Sequence, residues 1–297
     1  MKNSKRCLAA ACAALEMTII ATAAVMLPRS ASAQITFDFI GPHDYDLPLI
    51  ATPWNVFVQY GTEQNSNEAW NSQGHPVSVD PGVHSTVGLS KWVHFFTVDS
   101  LPTVGMGFEL VQPEVNIRTN ERGPLNAHTE SGFGDTIIGY LVWYKPTERS
   151  TLGFQTFLQM PVGGAGVSDT NWKNLSNVLW YVPIGDNFSW TGDAGWVVQS
   201  TRDSGVHPGL TWNTNNRFGY KLGPIVEPFL ALDYEHTAAS SVRLAPALPA
   251  GHALDPSAGI LFNTFKNQNI AFRYSHGVEG KNHALTNAGA IEYVLVF

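Results

Sequence analysis

The chain of 297 residues has only two cysteines, few charged side chains (14%), and, beyond Leu27, no apolar run of the roughly 18 residues that a membrane-spanning helix needs. Each scarcity excludes something. Cys7 and Cys12 both precede residue 33, in a segment read below as a removable leader, so the mature chain would have no disulfide, no thiolate nucleophile and no cysteine-based metal site. Without an apolar run, a membrane-integral form has to be a closed barrel, because open sheet edges cannot be left in hydrocarbon. Bases are also scarce, at 17 Lys and Arg against 24 Asp and Glu. The leader holds Lys2, Lys5, Arg6 and Arg29 against Glu16, so its loss takes the formal charge from −7 to about −10, which disfavours a nucleic-acid partner. Ten histidines are present, yet none stands in H-x-x-x-H or H-E-x-x-H spacing. His75, His128, His207, His252 and His283 fall in expected loops as solvated rings. The run Gly163-Gly164-Ala165-Gly166 lacks the lysine and helix of a phosphate loop. No catalytic residue, metal or cofactor is expected.

What is present is a leader and a repeating alternation. Lys2, Lys5 and Arg6 precede an apolar stretch from Cys7 to Leu27, and Ala31-Ser32-Ala33 offers a cleavage site, so residues 1–33 read as an export signal and Gln34 as the mature start. At the other end, Ile291, Tyr293, Leu295 and Phe297 share one face of a period-2 strand while Glu292 takes the other. A wall with lipid outside and water inside requires that pattern. Period-2 stretches recur near 53–62, 84–98, 103–118, 133–145, 150–161, 174–184, 188–200, 208–222, 225–238, 257–266, 269–277 and 287–297. Their connections alternate between tight turns rich in Gly, Pro, Asn and Asp and longer polar loops such as 62–83 and 238–256. The expected fold is all-β: a transmembrane antiparallel up-and-down β-barrel of about twelve strands over 52–297, in the bacterial outer membrane. An even count puts both chain ends in the periplasm. Residues 34–51, with Phe37, Phe39, Ile40, His43, Tyr45 and Leu47, form either a lumen plug or a periplasmic tail.

Alternation also assigns faces. In the first strand Trp54, Val56, Val58 and Tyr60 are expected to face lipid, with Asn55, Gln59 and Gly61 inward. In the fifth, Leu152, Phe154, Leu158 and Met160 oppose Gln155 and Gln159. The eighth sets Leu210, Trp212, Phe218 and Tyr220 against Arg217 and Lys221, the ninth sets Leu230, Leu232 and Tyr234 against Glu227, Asp233 and Glu235, and the eleventh sets Phe272 and Tyr274 against Arg273. Candidate lumen-lining residues are Glu109, Asp135, Asp193, Arg217, Lys221, Glu227, Asp233, Glu235, Arg273 and Glu292, joined by the apolar Leu141, Trp143 and Phe157. Lys91 breaks the pattern by sharing a face with Val87, Leu89 and Val93, and a bulge is expected near Pro113. Trp54, Tyr60, Trp143, Tyr144, Tyr181, Trp190, Tyr220 and Tyr293 lie near strand ends, as interfacial girdles do. Tyr293, Leu295 and Phe297 read as a signal to the barrel-assembly machinery. Adjacent Ser and His residues occur at His84-Ser85 and Ser275-His276, but neighbours on a strand point to opposite faces, so only cross-strand pairing could build a rim hydrolase.

Two motifs add a resemblance. The strand opening Gly132-Phe133-Gly134-Asp135 and the ending Pro161-Val162-Gly163-Gly164 after Phe154-Gln155-Thr156-Phe157-Leu158-Gln159-Met160, together with Arg273-Tyr274-Ser275-His276-Gly277 before the last strand, resemble the outer-membrane transporter family named for the meta-pathway of phenol degradation. Val162 stands where that family commonly has Thr. The resemblance implies a channel for small hydrophobic or aromatic molecules, without enzymatic activity or cofactor. Its partners would be outer-membrane lipid, the assembly machinery and a hydrophobic solute. Asp135 is expected either to pair with Arg217, Lys221 or Arg273 or to be a solvated rim aspartate. Besides passive uptake, two readings stay open: a lipase-like rim enzyme and a sealed structural barrel.

Overall fold

The computed structural model describes residues 39–49, 53–119, 128–243 and 245–297. The export signal and its cleavage site lie outside them. Alternating β-branched and aromatic residues, which suit a pleated, half-buried surface, build twelve wall strands. They are β1 (Trp54–Trp70), β2 (Pro76–Val98), β3 (Leu101–Thr119), β4 (Ile137–Tyr144), β5 (Thr151–Gln159), β6 (Lys173–Ile184), β7 (Phe188–Gln199), β8 (Thr211–Tyr220), β9 (Val226–Thr237), β10 (Gly251–Phe265), β11 (Gln268–His276) and β12 (Asn287–Val296). Each pairs antiparallel with its sequence neighbours. The ring closes where β1 meets β12, from Val56 opposite Val296 to Asn65 opposite Asn287. Closure removes every edge from the wall. Among the described residues no helix is long and apolar enough to cross a membrane.

One end of the barrel carries the short turns expected from Gly, Pro and Asn, including the 185–187 turn where Gly185 takes a left-handed φ of 67°. The other end carries long excursions. There β1 and β2 run well beyond the expected 53–62 and 84–98, and β10 starts at Gly251 rather than near 257. Polar residues expected to be loop thus continue the hairpins above the wall. Strand His128–Phe133 pairs with β3, and three short strands, Val206–His207, Ser240–Val242 and Ala245–Leu248, make a small separate sheet. The irregularity near Pro113 lies across from it: Val111 pairs with Ile137 but Glu114 with Phe133, so two residues of β3 face three, Gly134 to Thr136.

The outer face is apolar, with Phe108, Ile138, Phe154, Phe218, Leu230, Phe272 and Ile291 all exposed. Phe188 packs on Tyr220 at the short-turn end and Trp212 on Tyr234 toward the loops, as two aromatic bands would. Two expectations fail here, for one reason. Strand β1 is inverted: Val56 and Val58 are buried inside and pack with Val93 and Phe95, while Trp54, Tyr60, Trp143 and Tyr181 turn toward the interior rather than joining a girdle. This quarter of the lumen is greasy, so an apolar face does not mark the lipid side there. The same inversion explains Lys91, which points inward among Val87, Leu89 and Val93 and pairs with Glu109 at 2.5 Å.

Candidate functional site in the lumen

Residues 39–49 run inside the barrel and meet inward side chains from strands around the ring. On the β7–β12 side these contacts are polar. The Arg217 guanidinium, fully buried on β8, donates to the Phe39 carbonyl from Nη2 at 2.6 Å and Nε at 3.1 Å, and lies 4.6 Å over the Phe39 ring. Asp233 bridges Arg217 and Arg273, sharing one carboxylate between two buried cations. Gly41 donates its amide to Glu292 at 2.7 Å, Thr191 donates to the Pro42 carbonyl, His43 meets Glu227 at 2.8 Å, and the Tyr45 hydroxyl donates to Asp193 at 2.9 Å. Asn215 holds the second oxygen of Asp193 at 2.9 Å. Lower down, Lys145 donates to the Leu47 carbonyl at 3.3 Å. The backbone of the segment cannot form a ladder, so wall side chains satisfy it instead.

The electrostatics follow from burial and pairing. For His43, burial works against protonation, but Asp46 and Glu227 outweigh it and push the imidazole up to about 9. Burial raises the Asp44 carboxyl, even against the lowering effect of Lys91. The Tyr45 phenol is pushed well above its usual range by burial and by Asp193.

On the opposite side the contacts are apolar. Phe39, Tyr45 and Leu47 pack with Val56, Val58, Val93, Phe95, Leu141, Trp143, Leu179 and Tyr181, and Phe95 meets Trp143 edge-on at 5.2 Å. Between this face and the segment lies a cavity of about 340 Å³, lined by Trp54, Val58, Phe95, Phe157 and Val294, with Lys91, Gln155, Asn269 and Glu292 of the wall and His43, Asp44 and Asp46 of the segment as polar members. For scale, an apolar cavity of about 150 Å³ takes up benzene. Gln155 donates to Glu109, which keeps the Lys91–Glu109 pair satisfied inside the wall. The Lys91 ammonium sits 5.7 Å from the Phe157 ring centre.

The sequence-derived lumen residues take several roles, and four of them reach a cavity: Glu292 lines the 340 Å³ cavity, and Asp233, Glu235 and Arg273 line a smaller one nearer the loops. Asp193, Arg217, Glu227, Arg273 and Glu292 are buried ties to the segment, Asp233 holds the two arginines, and Glu109 is a partner for Lys91. Glu235 lies 3.4 Å from His283 nearer the loop end. Lys221 has no lumen position: β8 ends at Tyr220, and Lys221 follows it as an exposed residue whose amide bonds the Asn187 carbonyl. His43, Asp44 and Tyr45 were not singled out as site residues, because nothing in a short aromatic segment says what will surround it. Lys91 could have been found, since a lysine on an apolar face signals that the face is not lipid-exposed.

Asp135 differs most from expectation. It pairs with none of Arg217, Lys221 and Arg273. Buried in the irregularity beside β4, it accepts from the Gly163 amide at 2.9 Å, Ser168 Oγ at 2.7 Å, the Asp169 amide at 2.9 Å and Gln159 Nε2 at 3.1 Å. It pins the loop that follows β5. A Cβ on Gly163 would sit 2.7 Å from the Gly134 carbonyl carbon and 2.9 Å from the Asp135 amide nitrogen, so only glycine permits this approach. The two motifs behind the resemblance are thus two halves of one contact. Next to it, burial would raise the Asp169 carboxyl, but Lys173 at 2.5 Å outweighs burial and holds it low.

Neither Ser-His neighbour pair makes a nucleophile site. Ser275 is buried inside while His276 points out and meets Asn287 at 2.6 Å. Among the described residues no group of three or more His, Cys, Asp or Glu could hold a metal ion.

A closed twelve-strand barrel with an apolar belt, charged interior and internal segment belongs to the outer-membrane class of β-barrels. The family described as "Putative MetA-pathway of phenol degradation" matches residues 66–293, and the chain belongs to that family. Among solved structures, the COG4313 outer membrane channel from Pseudomonas putida F1 is similar with a TM-score of 0.77 at 15% identity, covering 87% of this chain and 100% of its own. The β domain of the Bordetella autotransporter BrkA is similar with a TM-score of 0.50 at 10% identity, covering 83% of this chain and 100% of its own. At these identities the similarity concerns the fold. No curated protein matches the sequence.

Proposed function

We propose that the chain is a passive outer-membrane channel for small hydrophobic or aromatic molecules and carries out no chemistry of its own. One observation carries the reading: the 340 Å³ cavity is lined mainly by apolar and aromatic side chains, and charged groups that reach it, such as Lys91, His43 and Glu292, are engaged with the wall or the segment. A hydrophilic-solute pore would spend those charges on the water path. Membership of a family named for phenol degradation, and the fold shared with a protein described as an outer membrane channel, support the same reading. In it, residues 1–33 direct export, the barrel is inserted by the assembly machinery, the short turns face the periplasm and residues 39–49 plug the lumen from that side. The test is uptake of radiolabelled benzyl alcohol by porin-deficient cells with intact lipopolysaccharide. Expression should raise the initial rate, and a rate no higher than in the empty-vector strain would instead support the sealed barrel that the plug's many ties favour.

A further inference from the structure

The lumen holds a second cavity. It measures about 120 Å³, and its lining includes Thr62, Gln64, Asn213, Glu235 and Asp255, residues toward the long-loop end of their strands. This vestibule and the larger inner cavity have two wall side chains in common, Tyr60 on β1 and Leu89 on β2. The internal segment divides the chambers elsewhere: Ile40 lines the vestibule, while Phe39 and Gly41 line the inner cavity. Its backbone is tied to β8, β11 and β12 through Arg217, Arg273 and Glu292. Toward β1 and β2 the segment is held mainly by apolar packing of Phe39, Tyr45 and Leu47 on Val56, Val58, Val93 and Phe95, with a hydrogen bond from the Tyr60 hydroxyl to Asp44 at 3.2 Å.

Building on the channel reading, we propose that solute crosses from vestibule to inner cavity between Tyr60 and Leu89, and that this constriction passes neutral aromatic alcohols and phenols while excluding aromatic carboxylates. Leu89 sets the width with an apolar side chain that needs no rehydration when displaced. There the Tyr60 hydroxyl can donate or accept and the Asp44 carboxyl can accept, so a hydroxyl on the solute exchanges partners without being stripped of hydrogen bonds. Desolvation does the sorting. The vestibule's carboxylates are already engaged: Asp233 pairs with Arg217 and Arg273, Glu235 with His283, and Asp255 has a partner as well. A carboxylate-bearing ring has to shed its water at the constriction and then enter a largely apolar chamber, a transfer that costs an ion far more than an alcohol.

The experiment uses the full-length protein in the same porin-deficient cells, comparing initial uptake of labelled benzyl alcohol and benzoate, with planar-bilayer conductance of the purified barrel alongside. Folding of each variant is checked by heat-modifiable migration. Leu89→Ala should raise conductance and benzyl alcohol uptake several-fold, and Leu89→Phe, with Leu89→Trp as the larger block, should lower both. Tyr60→Phe keeps the ring and should slow benzyl alcohol with little change in conductance. Leu89→Ala, which widens the constriction enough for water to accompany the solute, should also raise the ratio of benzoate to benzyl alcohol uptake. Wild-type uptake that persists unchanged in all Leu89 variants would overturn the constriction while leaving the channel standing. Benzoate entering wild type as fast as benzyl alcohol would overturn the selection against carboxylates. Absence of any wild-type flux would overturn both the constriction and the channel reading beneath it.

Discussion

Arg217 does more than any other single side chain to hold the lumen together. It satisfies the Phe39 carbonyl twice, covers the Phe39 ring and neutralises Asp233, all at zero exposure. Removing one partner from a buried ionic network costs about 3–5 kcal/mol, because the remaining groups keep their desolvation penalty. Arg217→Met should therefore release the N-terminal segment while leaving the wall closed, seen as new protease cleavage before residue 53 with unchanged heat-modifiable migration. Exposed Lys266, on the turn between β10 and β11, makes the control: Lys266→Met should shift neither. At the loop end, Asp135→Asn turns one acceptor oxygen into a donor facing backbone amides, a loss of about 1–3 kcal/mol. Limited proteolysis should then cut between residues 163 and 172, and Gly163→Ala should do the same by steric clash.

Residues 39–49 behave as an element without secondary structure, defined by what the wall supplies to it. Its seating is pH-dependent with a definite sign. His43 has a pKa raised to about 9 inside the barrel, so its ion pairs with Glu227 and Asp46 contribute fully below the unfolded value near 6.5 and are lost as pH rises through about 9. Lys221 opposes that protonation, and the Tyr181 ring lies 5.5 Å away. Asp44, raised by burial, is held most easily when neutral and acts with the same sign. Planar-bilayer conductance should thus increase above pH 9, and His43→Gln should flatten the rise. The element also shows where sequence reading stopped. Its Phe39, Tyr45 and Leu47 suit a plug, yet sequence leaves plug and tail equal, because partners such as Asp193 lie 148 residues further along the chain. Strand β1 departs from its expected faces for the same cause: its apolar face packs on this segment, and alternation reports two unlike faces without saying which is inside.

The whole molecule is a ring whose last bond joins its ends. Phe297 exchanges both backbone hydrogen bonds with Asn55, at 2.8 and 2.9 Å, while its ring remains 61% exposed on the outer surface. Deleting residues 293–297 removes the β1 partners from Val56 to Gln59 and should abolish the heat-modifiable barrel. Phe297→Ala keeps the backbone pairing, so it should slow assembly in cells yet alter the urea midpoint of the folded protein little. On the lipid face, Leu230→Arg should cost up to about 2–4 kcal/mol if it lies at mid-membrane depth, measured by urea unfolding in lipid vesicles. By itself the sequence determined the strand number, the alternation of turns and loops, closure without edges and the family, since these follow from period-2 patterning and turn chemistry, which are local. Only the tertiary structure decided what the charges do. A carboxylate placed inward by parity can line water, hold an arginine or anchor a loop, and that choice depends on partners brought together by ring closure. Asp135 anchoring the loop after β5, and Arg217 gripping a carbonyl 178 residues away, are both choices of that kind.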